Sequence, residues 1–309
     1  MMNLTVFSTF NNITYISSQY YQLYQNAKLV FFAFIIFCFC FFIYFILVLL
    51  VVYFTTPHVR ENARYILFAH MLINDTLYLS LGLFLCLGFG FLLYIPVPIC
   101  YVLVNFAAAT FRITPYNLAI MALERYVAIC FPLKHIMLCT ARRSYFAIAA
   151  MWFVGWLPNV ADFIILISSV EVKFFSRNLL CRHQSLLVLP AQNTIQFSTL
   201  IGSLILVSLV ILFTYIKVML IARKTGSGKS SASKAGRTLI LHGVQLFLCL
   251  LSLTSSFSEL YQGDFYYFVI LINFLMFMCV PRLLSPLIYG IRDSVFSKSI
   301  KKMKMYSTN

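Results

Sequence analysis

Four sites in the sequence place ionisable side chains inside long apolar stretches: Asp75, Arg112, the adjacent Glu124 and Arg125, and Arg282. A charge inside a membrane is costly, so such a residue usually pairs with another group or has a function. Neighbouring opposite charges such as Glu124 and Arg125 can pair locally and exchange partners when helices move. They can also simply anchor a helix end at the membrane surface, and from their spacing alone the anchor is the favoured interpretation.

Arg112 is the most deeply placed of these charges. It precedes Arg125 by 13 residues, which is about 19.5 Å along an α-helix at about 1.5 Å per residue. Its guanidinium is therefore expected near the middle of the membrane. One hypothesis makes it the counter-charge for an acidic ligand. The other, which we favour, pairs it internally with backbone carbonyls or polar side chains.

Patterns typical of enzymes and metal sites are missing from the sequence. None of the nine Cys residues forms a Cys-x-x-Cys or Cys/His metal spacing. The five His residues lie on scattered segments and are His58, His70, His135, His183 and His242. Lys224–Ser230 imitates a phosphate-binding loop, but position 223 is Arg where that motif requires Gly. We therefore predict no enzyme activity, no metal and no cofactor.

The composition requires a lipid environment. Hydrophobic residues make up 62% of the 309 residues and charged residues only 10%, whereas a soluble domain is about 45–50% apolar and about 25% charged. This excludes a water-soluble globular enzyme and a disordered chain. The net charge of +15 would suggest nucleic acid in a soluble protein. Here the basic residues flank membrane spans, where they set topology and contact anionic lipid, so we predict no nucleic-acid partner.

Seven segments are long enough and apolar enough to cross a bilayer, which takes about 20 residues. They lie at about 29–54, 65–93, 98–131, 145–168, 193–222, 238–260 and 265–290. Their apolar runs are continuous, which excludes the alternating strands of a membrane barrel. The predicted fold class is therefore all-α, a bundle of seven transmembrane helices.

The distribution of Lys and Arg predicts the orientation of the bundle. Seventeen of the 23 lie on the side that holds the C-terminal tail and the loops after spans one, three and five, and four lie on the other side. Basic residues accumulate on the cytoplasmic side, so the N-terminus is outside. The chain divides into an outer segment 1–28, a membrane domain 29–292 and a cytoplasmic tail 293–309. Phe296, Ile300 and nearby Lys residues in the tail fit a short amphipathic helix on the inner leaflet.

Two kinds of residue on the outer side are candidates for covalent modification. Asn3 and Asn12 each begin an Asn-x-Thr sequence, the acceptor for N-linked glycosylation. Only Cys100, at the outer end of the third span, and Cys181, in the loop after the fourth, are placed to pair in the oxidising outer environment. A bridge would hold that loop over the bundle, and the alternative is two free thiols.

A resemblance to a known family begins with one long motif, Met121-Ala-Leu-Glu-Arg-Tyr-Val-Ala-Ile-Cys-Phe-Pro-Leu-Lys-His135. This motif resembles the third-span signature of odorant receptors of the fish type, which are rhodopsin-like (class A) G-protein-coupled receptors. Less specific matches are Phe213–Lys224, Lys234–His242 and Pro281–Asp293. The resemblance covers about residues 28–305. It implies a multi-pass receptor in the plasma membrane of olfactory sensory neurons.

The resemblance also implies which residues switch the receptor on. Arg125 would be held by Glu124 at rest and freed toward a G protein on activation, while Tyr215 and Tyr289 would swing inward. Pro286 would kink the seventh span by removing one backbone hydrogen bond. The set implied for coupling to the G protein is Glu124, Arg125, Tyr126, Tyr215, His242, Pro286 and Tyr289.

Asp75 resembles the receptor-family carboxylate that binds a sodium ion, but this sequence offers another partner. Arg282, Ser285 and Tyr289 have the spacing i, i+3 and i+7 on one face of the seventh span. Matching the family motifs places Arg282 toward Asp75, and Ser285 stands where the family has Asn. A buried unpaired carboxylate would take up a proton, whereas an arginine keeps it charged. We predict a buried polar group of Asp75, Arg282 and Ser285 in which the arginine takes the place of the ion.

By the same resemblance, a small odorant would bind among the outer halves of spans three, five, six and seven. Such pockets are mostly apolar with a few polar anchors, and the expected lining is Ala107, Ala108, Phe111, Arg112, Thr199, Ser203, Leu253, Phe257 and Met278. The receptor would then activate a heterotrimeric G protein of the stimulatory olfactory type and raise cyclic AMP. The alternatives are a rhodopsin-like receptor for a peptide or lipid and, less favoured, a transporter or channel.

Overall fold

The computed structural model of the chain describes residues 2–224, 243, 244, 247, 269, 272–280 and 282. Within this part, helices dominate. In chain order they are α1 (Met2–Thr55), α2 (Pro57–Arg60), α3 (Ala63–Gly90), α4 (Val97–Cys130), α5 (Pro132–Leu138), α6 (Ala141–Ser169), α7 (Val172–Phe175), α8 (His183–Leu186) and α9 (Pro190–Lys224). Two short strands are β1 (Tyr94–Pro96) and β2 (Asn178–Leu180), and Phe274–Cys279 is π-helical.

Five of the described helices are long and apolar enough to cross a membrane. They are the Tyr21–Thr55 part of α1, then α3, α4, α6 and the Pro190–Ile221 part of α9. The last four match predicted spans two to five to within four residues at each end. The predicted spans 238–260 and 265–290 lie mostly outside the described residues.

α6 has polar side chains on its buried face and apolar ones on its exposed face, the reverse of a helix in a soluble protein. Its buried residues recur at helical spacing and are Ser144, Met151, Gly155, Asn159, Asp162 and Leu166. The opposite face exposes large apolar side chains such as Phe146, Phe153 and Ile164. Exposed apolar surface of this extent indicates contact with lipid.

α4 is the central helix of the described bundle, because it packs against α3, α6 and α9. Pro96 ends β1, and Pro98 stands in the first turn of α4, where the N–H that proline lacks would have no helical partner. α4 buries an unusual number of polar side chains along its length. They are Asn105, Thr110, Arg112, Thr114, Asn117 and Glu124.

Side-chain caps fix where α3 and α6 begin. Oδ1 of Asn62 accepts a hydrogen bond from the N–H of Arg64 at 3.1 Å. Oγ1 of Thr140 accepts one from the N–H of Arg143 at 3.4 Å. Such caps satisfy backbone donors that the first helical turn leaves unpaired. Both helices therefore start at set residues on the inner side, which fixes the depth of every polar side chain further along them.

A small antiparallel sheet covers the outer end of α4. β1 pairs with β2 in the register Tyr94 with Leu180 and Pro96 with Asn178. The sequence did not indicate these three-residue strands, which are too short to show an alternating pattern. Next to them, Cys100 and Cys181 form the predicted disulfide, which is therefore confirmed. A buried apolar cluster surrounds the bridge and consists of Ile95, Val97, Cys100, Val104, Cys181 and Leu186.

α1 is one continuous helix from Met2 to Thr55, longer than a single bilayer crossing requires. It includes the predicted outer segment 1–28, so the backbone has no break at residue 28, and Asn3 and Asn12 both lie on it. The chain forms two compact units, Met1–Tyr44 and Phe45–Asn309. Each polar cluster described below belongs wholly to the second unit.

The disulfide is expected to contribute strongly to stability, because it joins residues 81 positions apart and restricts the unfolded chain. Replacing Cys100 or Cys181 with Ser should lower the free energy of unfolding by about 2–5 kcal/mol. The double variant should be no less stable than either single variant, since all three lose the same bond. Thermal melting of the purified protein measures this, with the free Cys139 replaced by Ser as a control. Additive losses in the double variant would contradict a shared bridge.

Candidate functional site

A buried ion pair joins α3 to Arg282. Nη1 of Arg282 donates to Oδ1 of Asp75 at 2.6 Å. Both residues are almost fully enclosed, with 3% of Arg282 and 0% of Asp75 exposed. The hydroxyl of Thr114 on α4 donates to the same Asp75 oxygen at 3.2 Å and accepts from the guanidinium at 3.1 Å. The structure thus brings together the two residues that the sequence paired, while Ser285 lies outside the described residues.

Aromatic rings enclose the guanidinium of Arg282. Its Cζ lies 3.7 Å from the centre of the Tyr78 ring and 5.8 Å from the centre of the Phe111 ring. This cation–π attraction is stronger where water is excluded. Tyr78 follows Asp75 by three residues on α3, so both face the same way. Sequence reasoning missed Tyr78 and Thr114, although the i, i+3 spacing from Asp75 was a usable signal for Tyr78.

Amide side chains fix α3 against α4 around this ion pair. Nδ2 of Asn74 donates to the carbonyl of Thr110 at 2.9 Å and to Oγ1 of Thr114 at 3.1 Å. Nδ2 of Asn117 donates to the carbonyl of Leu67 at 3.1 Å. Because these donors are buried, losing any of their acceptors would leave a costly unpaired group. The two helices are therefore held in one register around Asp75.

A second cluster of charges lies at the inner end of α4 around Glu124, of which 8% is exposed. Oε2 of Glu124 lies 3.8 Å from Nε of Arg125, and Oε1 lies 3.0 Å from Nε2 of His135 on α5. The Tyr126 ring packs edge-on to the Phe213 ring of α9, with 5.7 Å between centres. Glu124 therefore contacts two basic side chains. Sequence reasoning assigned no role to His135, although His135 ends the family motif.

Of the remaining residues implied for coupling, only one lies in the described part of the chain. Tyr215 is half-buried on α9. His242, Pro286 and Tyr289 lie outside the described residues. The described coupling region therefore consists of the inner ends of α4 and α9 together with α5.

A third polar cluster ties α4 to α6 and α9 in the outer half of the bundle. Nη1 of Arg112 donates to Oδ1 of Asn159 at 2.7 Å. Oδ2 of Asp162 accepts from the hydroxyl of Tyr101 at 3.0 Å, and its Oδ1 accepts from Nε2 of Gln192 at 3.0 Å. Of these residues, sequence reasoning named only Arg112. Asp162 lies inside the predicted span 145–168, so the rule that singled out Asp75 would have found it.

His183 begins α8 within electrostatic reach of this outer cluster. Part of the residue surface is exposed, yet the protein mass around the ring disfavours its charged form and lowers the pKa below its usual range. The Asp162 carboxylate opposes this shift, and the Arg112 guanidinium adds to it. His183 is consequently neutral at physiological pH.

The other residues expected to line a ligand pocket are spread over two described helices. Ala107 and Ala108 are half-buried on α4. On α9, the hydroxyl of Thr199 donates to the carbonyl of Ile195 and that of Ser203 donates to the carbonyl of Leu200, each at 2.7 Å. Both hydroxyls thus bond to their own helix. Leu253, Phe257 and the side chain of Met278 lie outside the described residues.

Comparison with known proteins assigns the chain to a family. The model of the 7 transmembrane receptor (rhodopsin family) matches residues 46–289. The chain belongs to the rhodopsin family of receptors. Odorant receptor 131-2 of Danio rerio is 29% identical over 248 residues, which cover 78% of this receptor and 76% of that one. Olfactory receptors 2M7 and 51E1 of Homo sapiens are 28% and 26% identical, each over 61% of this receptor and over 62% and 61% of their own lengths.

These similarities confirm several expectations. The resemblance to odorant receptors and the seven-transmembrane fold class are both confirmed, since the matched family spans most of the chain. The receptor is a multi-pass membrane protein. It is not an enzyme, because the rhodopsin family is a class of receptors.

The Asp75–Arg282 contact can be tested with neutral substitutions. Asp75→Asn or Arg282→Gln alone should lower the free energy of unfolding by about 3–5 kcal/mol, because each leaves an unpaired buried charge. The double variant should recover part of that loss, because both charges are then gone. Thermal melting in nanodiscs gives the coupling energy through a double-mutant cycle. Losses that simply add in the double variant would show that the two side chains do not interact.

Proposed function

We propose that this receptor is an odorant receptor, which binds a small odorant in the outer half of the bundle and activates a heterotrimeric G protein of the stimulatory olfactory type, raising cyclic AMP. The observation that carries the proposal is the Glu124–Arg125–Tyr126 cluster at the inner end of α4. It occurs in a chain whose relatives are named odorant and olfactory receptors. The same similarity supports a location in the plasma membrane of olfactory sensory neurons.

The proposed switch works through partner exchange at Glu124. At rest this carboxylate holds Arg125 and His135, with the 3.0 Å contact to His135 shorter than the 3.8 Å contact to Arg125. Movement of α9 separates Tyr126 from Phe213, and Arg125 then turns toward the G protein. Tyr215 on α9, with His242, Pro286 and Tyr289, completes the inner surface. A ligand drives this change only if it binds the active state more tightly than the resting state.

The proposed odorant pocket uses the small residues Ala107 and Ala108 to leave space beside α4. The ring of Phe111 links this region to the ion pair below, because it lies 5.8 Å from the ring of Tyr78. Thr199 and Ser203 contribute hydroxyl oxygens that can still accept from a ligand while they donate to their own helix. Leu253, Phe257 and Met278 are proposed to complete the apolar wall. A mostly apolar site with few polar groups suits a small odorant.

The two terminal segments and the outer loop complete the proposed receptor. We propose that the outer segment 1–28 carries N-linked glycans at Asn3 and Asn12. The cytoplasmic tail 293–309 follows the receptor domain 29–292 and is proposed to place its amphipathic helix on the inner leaflet. The disulfide between Cys100 and Cys181 holds the outer loop near the end of α4.

We propose further that Arg282 serves as a tethered cation in place of the sodium ion that the rhodopsin family suggests at Asp75. The residues present do not fit that ion, because a guanidinium and a hydroxyl already contact Oδ1 of Asp75, and Oδ2 is the only carboxylate oxygen of Asp75 left without a hydrogen-bond partner among the described residues. A sodium ion there would also meet the positive charge of Arg282. Among the described residues, no group of three or more His, Cys, Asp or Glu side chains could hold another metal.

The central test of the proposed function is ligand-evoked cyclic AMP in cells that express the full chain. An odorant panel should contain at least one compound that raises cyclic AMP. Arg125→Gln should lower the maximal response at least tenfold at equal surface level, because the G protein loses its main cationic contact. Arg142→Gln, which removes an exposed inner arginine, should leave the response unchanged.

Three results from the same cells, with ion current measured as well, would contradict the proposed function or its switch. An ion current without any G protein would favour a channel instead. A response to peptides or lipids with none to small volatile or water-borne odorants would favour another rhodopsin-like receptor. Equal responses of the Arg125 and Arg142 variants would reject the proposed switch.

The tethered cation predicts that the receptor does not sense sodium. Replacing extracellular sodium with N-methylglucamine should change basal signalling and ligand potency less than twofold. Arg282→Met should introduce a sodium dependence, because Asp75 then has no fixed cation. Assays of nucleotide exchange on receptor in nanodiscs measure both, with Arg64→Met as a control outside the pair. Strong sodium dependence of the unmodified receptor would reject the tethered cation.

A further inference from the structure

We propose that Arg112 and Asp162 form a subsite for the charged head of a zwitterionic ligand, an α-amino acid, whose carboxylate binds Arg112 and whose ammonium group binds Asp162. This inference rests on the proposed function, because it assumes a receptor that responds to small ligands. It adds the chemical class of one ligand and the side chains that recognise it. The subsite lies between α4 and α6, beside the pocket residues proposed above.

Among the described residues, the only hydrogen-bond partner of the charged Arg112 is a neutral amide, and the Asp162 carboxylate attracts it without an ion-pair contact. Its single hydrogen bond runs from Nη1 to Oδ1 of Asn159 at 2.7 Å, and 5% of the residue is exposed. Nε of Arg112 is buried and has no acceptor in the described part of the chain. A buried donor without an acceptor is costly, and a carboxylate is the acceptor that guanidinium matches best. An anionic group of a ligand would therefore satisfy the unpaired donor of Arg112.

Asp162 is the opposite case, a buried carboxylate that neutral donors hold. The Tyr101 hydroxyl and the Gln192 side-chain amide each donate one hydrogen bond at 3.0 Å, and 7% of the residue is exposed. No Lys or Arg in the described residues forms an ion pair with it. Each carboxylate oxygen can accept a second hydrogen bond. An ammonium group would supply both the missing donors and the missing positive charge.

Arg112 and Asp162 both lie at the interface between α4 and α6, but they form no ion pair with each other. Asn159 and Asp162 lie three residues apart on α6, on one face and about 4.5 Å apart along the axis. Tyr101 and Arg112 lie eleven residues apart on α4, about three turns, and so also share a face. The guanidinium of Arg112 therefore lies at Asn159, one turn of α6 from Asp162, within electrostatic reach of the Asp162 carboxylate but without an ion-pair contact. In an α-amino acid the ammonium and carboxylate groups are bonded to the same carbon, so one molecule can contact both Arg112 and Asp162.

The balance of charge selects a zwitterion over a simple acid or amine. Around the subsite the described charged and titratable groups are Arg112, Asp162 and His183, with the hydroxyls of Tyr101 and Tyr116 nearby. His183 is neutral, since burial by surrounding protein lowers its pKa. The described part of the site therefore has no net charge. A simple carboxylic acid would meet repulsion from Asp162, and a simple amine would meet repulsion from Arg112.

Gln192 connects Asp162 to the start of α9, so ligand binding at Asp162 can affect that helix. Gln192, which donates to Asp162, also accepts from the N–H groups of Val188 and Leu189 at 2.8 and 3.0 Å. A ligand ammonium group that adds a second hydrogen bond to Oδ1 of Asp162 would weaken the bond from Gln192 and allow the outer end of α9 to move. The inner end of the same helix carries Tyr215. Ligand binding at this subsite thus biases the helix that the proposed switch moves.

The test uses cells that express the full receptor, with cyclic AMP as the readout. The probes are the twenty common α-amino acids, applied one at a time. Each active one is compared with its N-acetyl form, which lacks the ammonium group, and its methyl ester, which lacks the carboxylate. At least one amino acid should activate, with its two blocked forms roughly tenfold to hundredfold less potent, as expected for a lost charged hydrogen bond.

Two variants show which side chain recognises which charge. With Arg112→Gln, the free amino acid should lose its roughly tenfold or greater advantage over the methyl ester. With Asp162→Asn, it should lose its advantage over the N-acetyl form. Arg177→Gln and Glu171→Gln make the same charge changes at exposed outer residues and should keep both advantages. A merely structural role would lower the potency of all forms alike and leave their ratios unchanged.

Several outcomes would overturn the inference. They are activation by none of the twenty amino acids, equal potency of free and blocked forms, or ratios unchanged by both variants. If Asp162→Asn does not reach the surface, the test rests on Arg112→Gln and on the potency of the free amino acid relative to its methyl ester. In that case Arg112→Lys should restore the preference for the free amino acid. If neutral odorants act through Arg125 while amino acids do not, only this inference fails. If no compound raises cyclic AMP, the proposed function itself fails.

Discussion

The pairing of Arg282 with Asp75 is the interaction on which the centre of the receptor depends. Neither charge is stable alone in a region this deeply buried, because desolvation of one ion costs several kcal/mol. Together they share the Thr114 hydroxyl, and the guanidinium also lies against the Tyr78 ring. The pair therefore ties residue 282 to both α3 and α4. A movement of the chain at residue 282 must therefore either carry α3 with it or break the pair.

Much of this architecture could be predicted from the sequence because lipid imposes a simple rule. Spans must be long, apolar and helical, so the positions of α3, α4, α6 and α9 followed from hydropathy to within a few residues. Arg282 could be matched to Asp75 only through the family motif. Asp162 was missed although its position inside an apolar run marked it. β1 and β2 could not be found, because three residues show no periodicity and their pairing is a tertiary effect.

The partners of each charge were harder to predict than the charges themselves. His135 contacts Glu124 because α5 folds back beneath the end of α4, and no local spacing encodes that turn. Gln192 reaches Asp162 from a helix thirty residues later in the chain. Hydropathy fixes the depth of a residue in the membrane, but the rotation of each helix about its axis is decided by packing. Depth was therefore predictable, and the choice of neighbour was not.

The geometry of α4 connects the three polar clusters. Arg112 faces α6 through Asn159, whereas Thr114, two residues and about 200° further round the helix, faces α3 through Asp75. Glu124 lies at the inner end of the same helix, beyond Pro115, which removes one backbone hydrogen bond inside α4. A small rotation of this part of α4 that changes the contact at Arg112 must also change the contact at Thr114, because only two residues separate them. One helix thus presents the three clusters to different neighbours, with the outer and central clusters on one side of Pro115 and the inner cluster on the other.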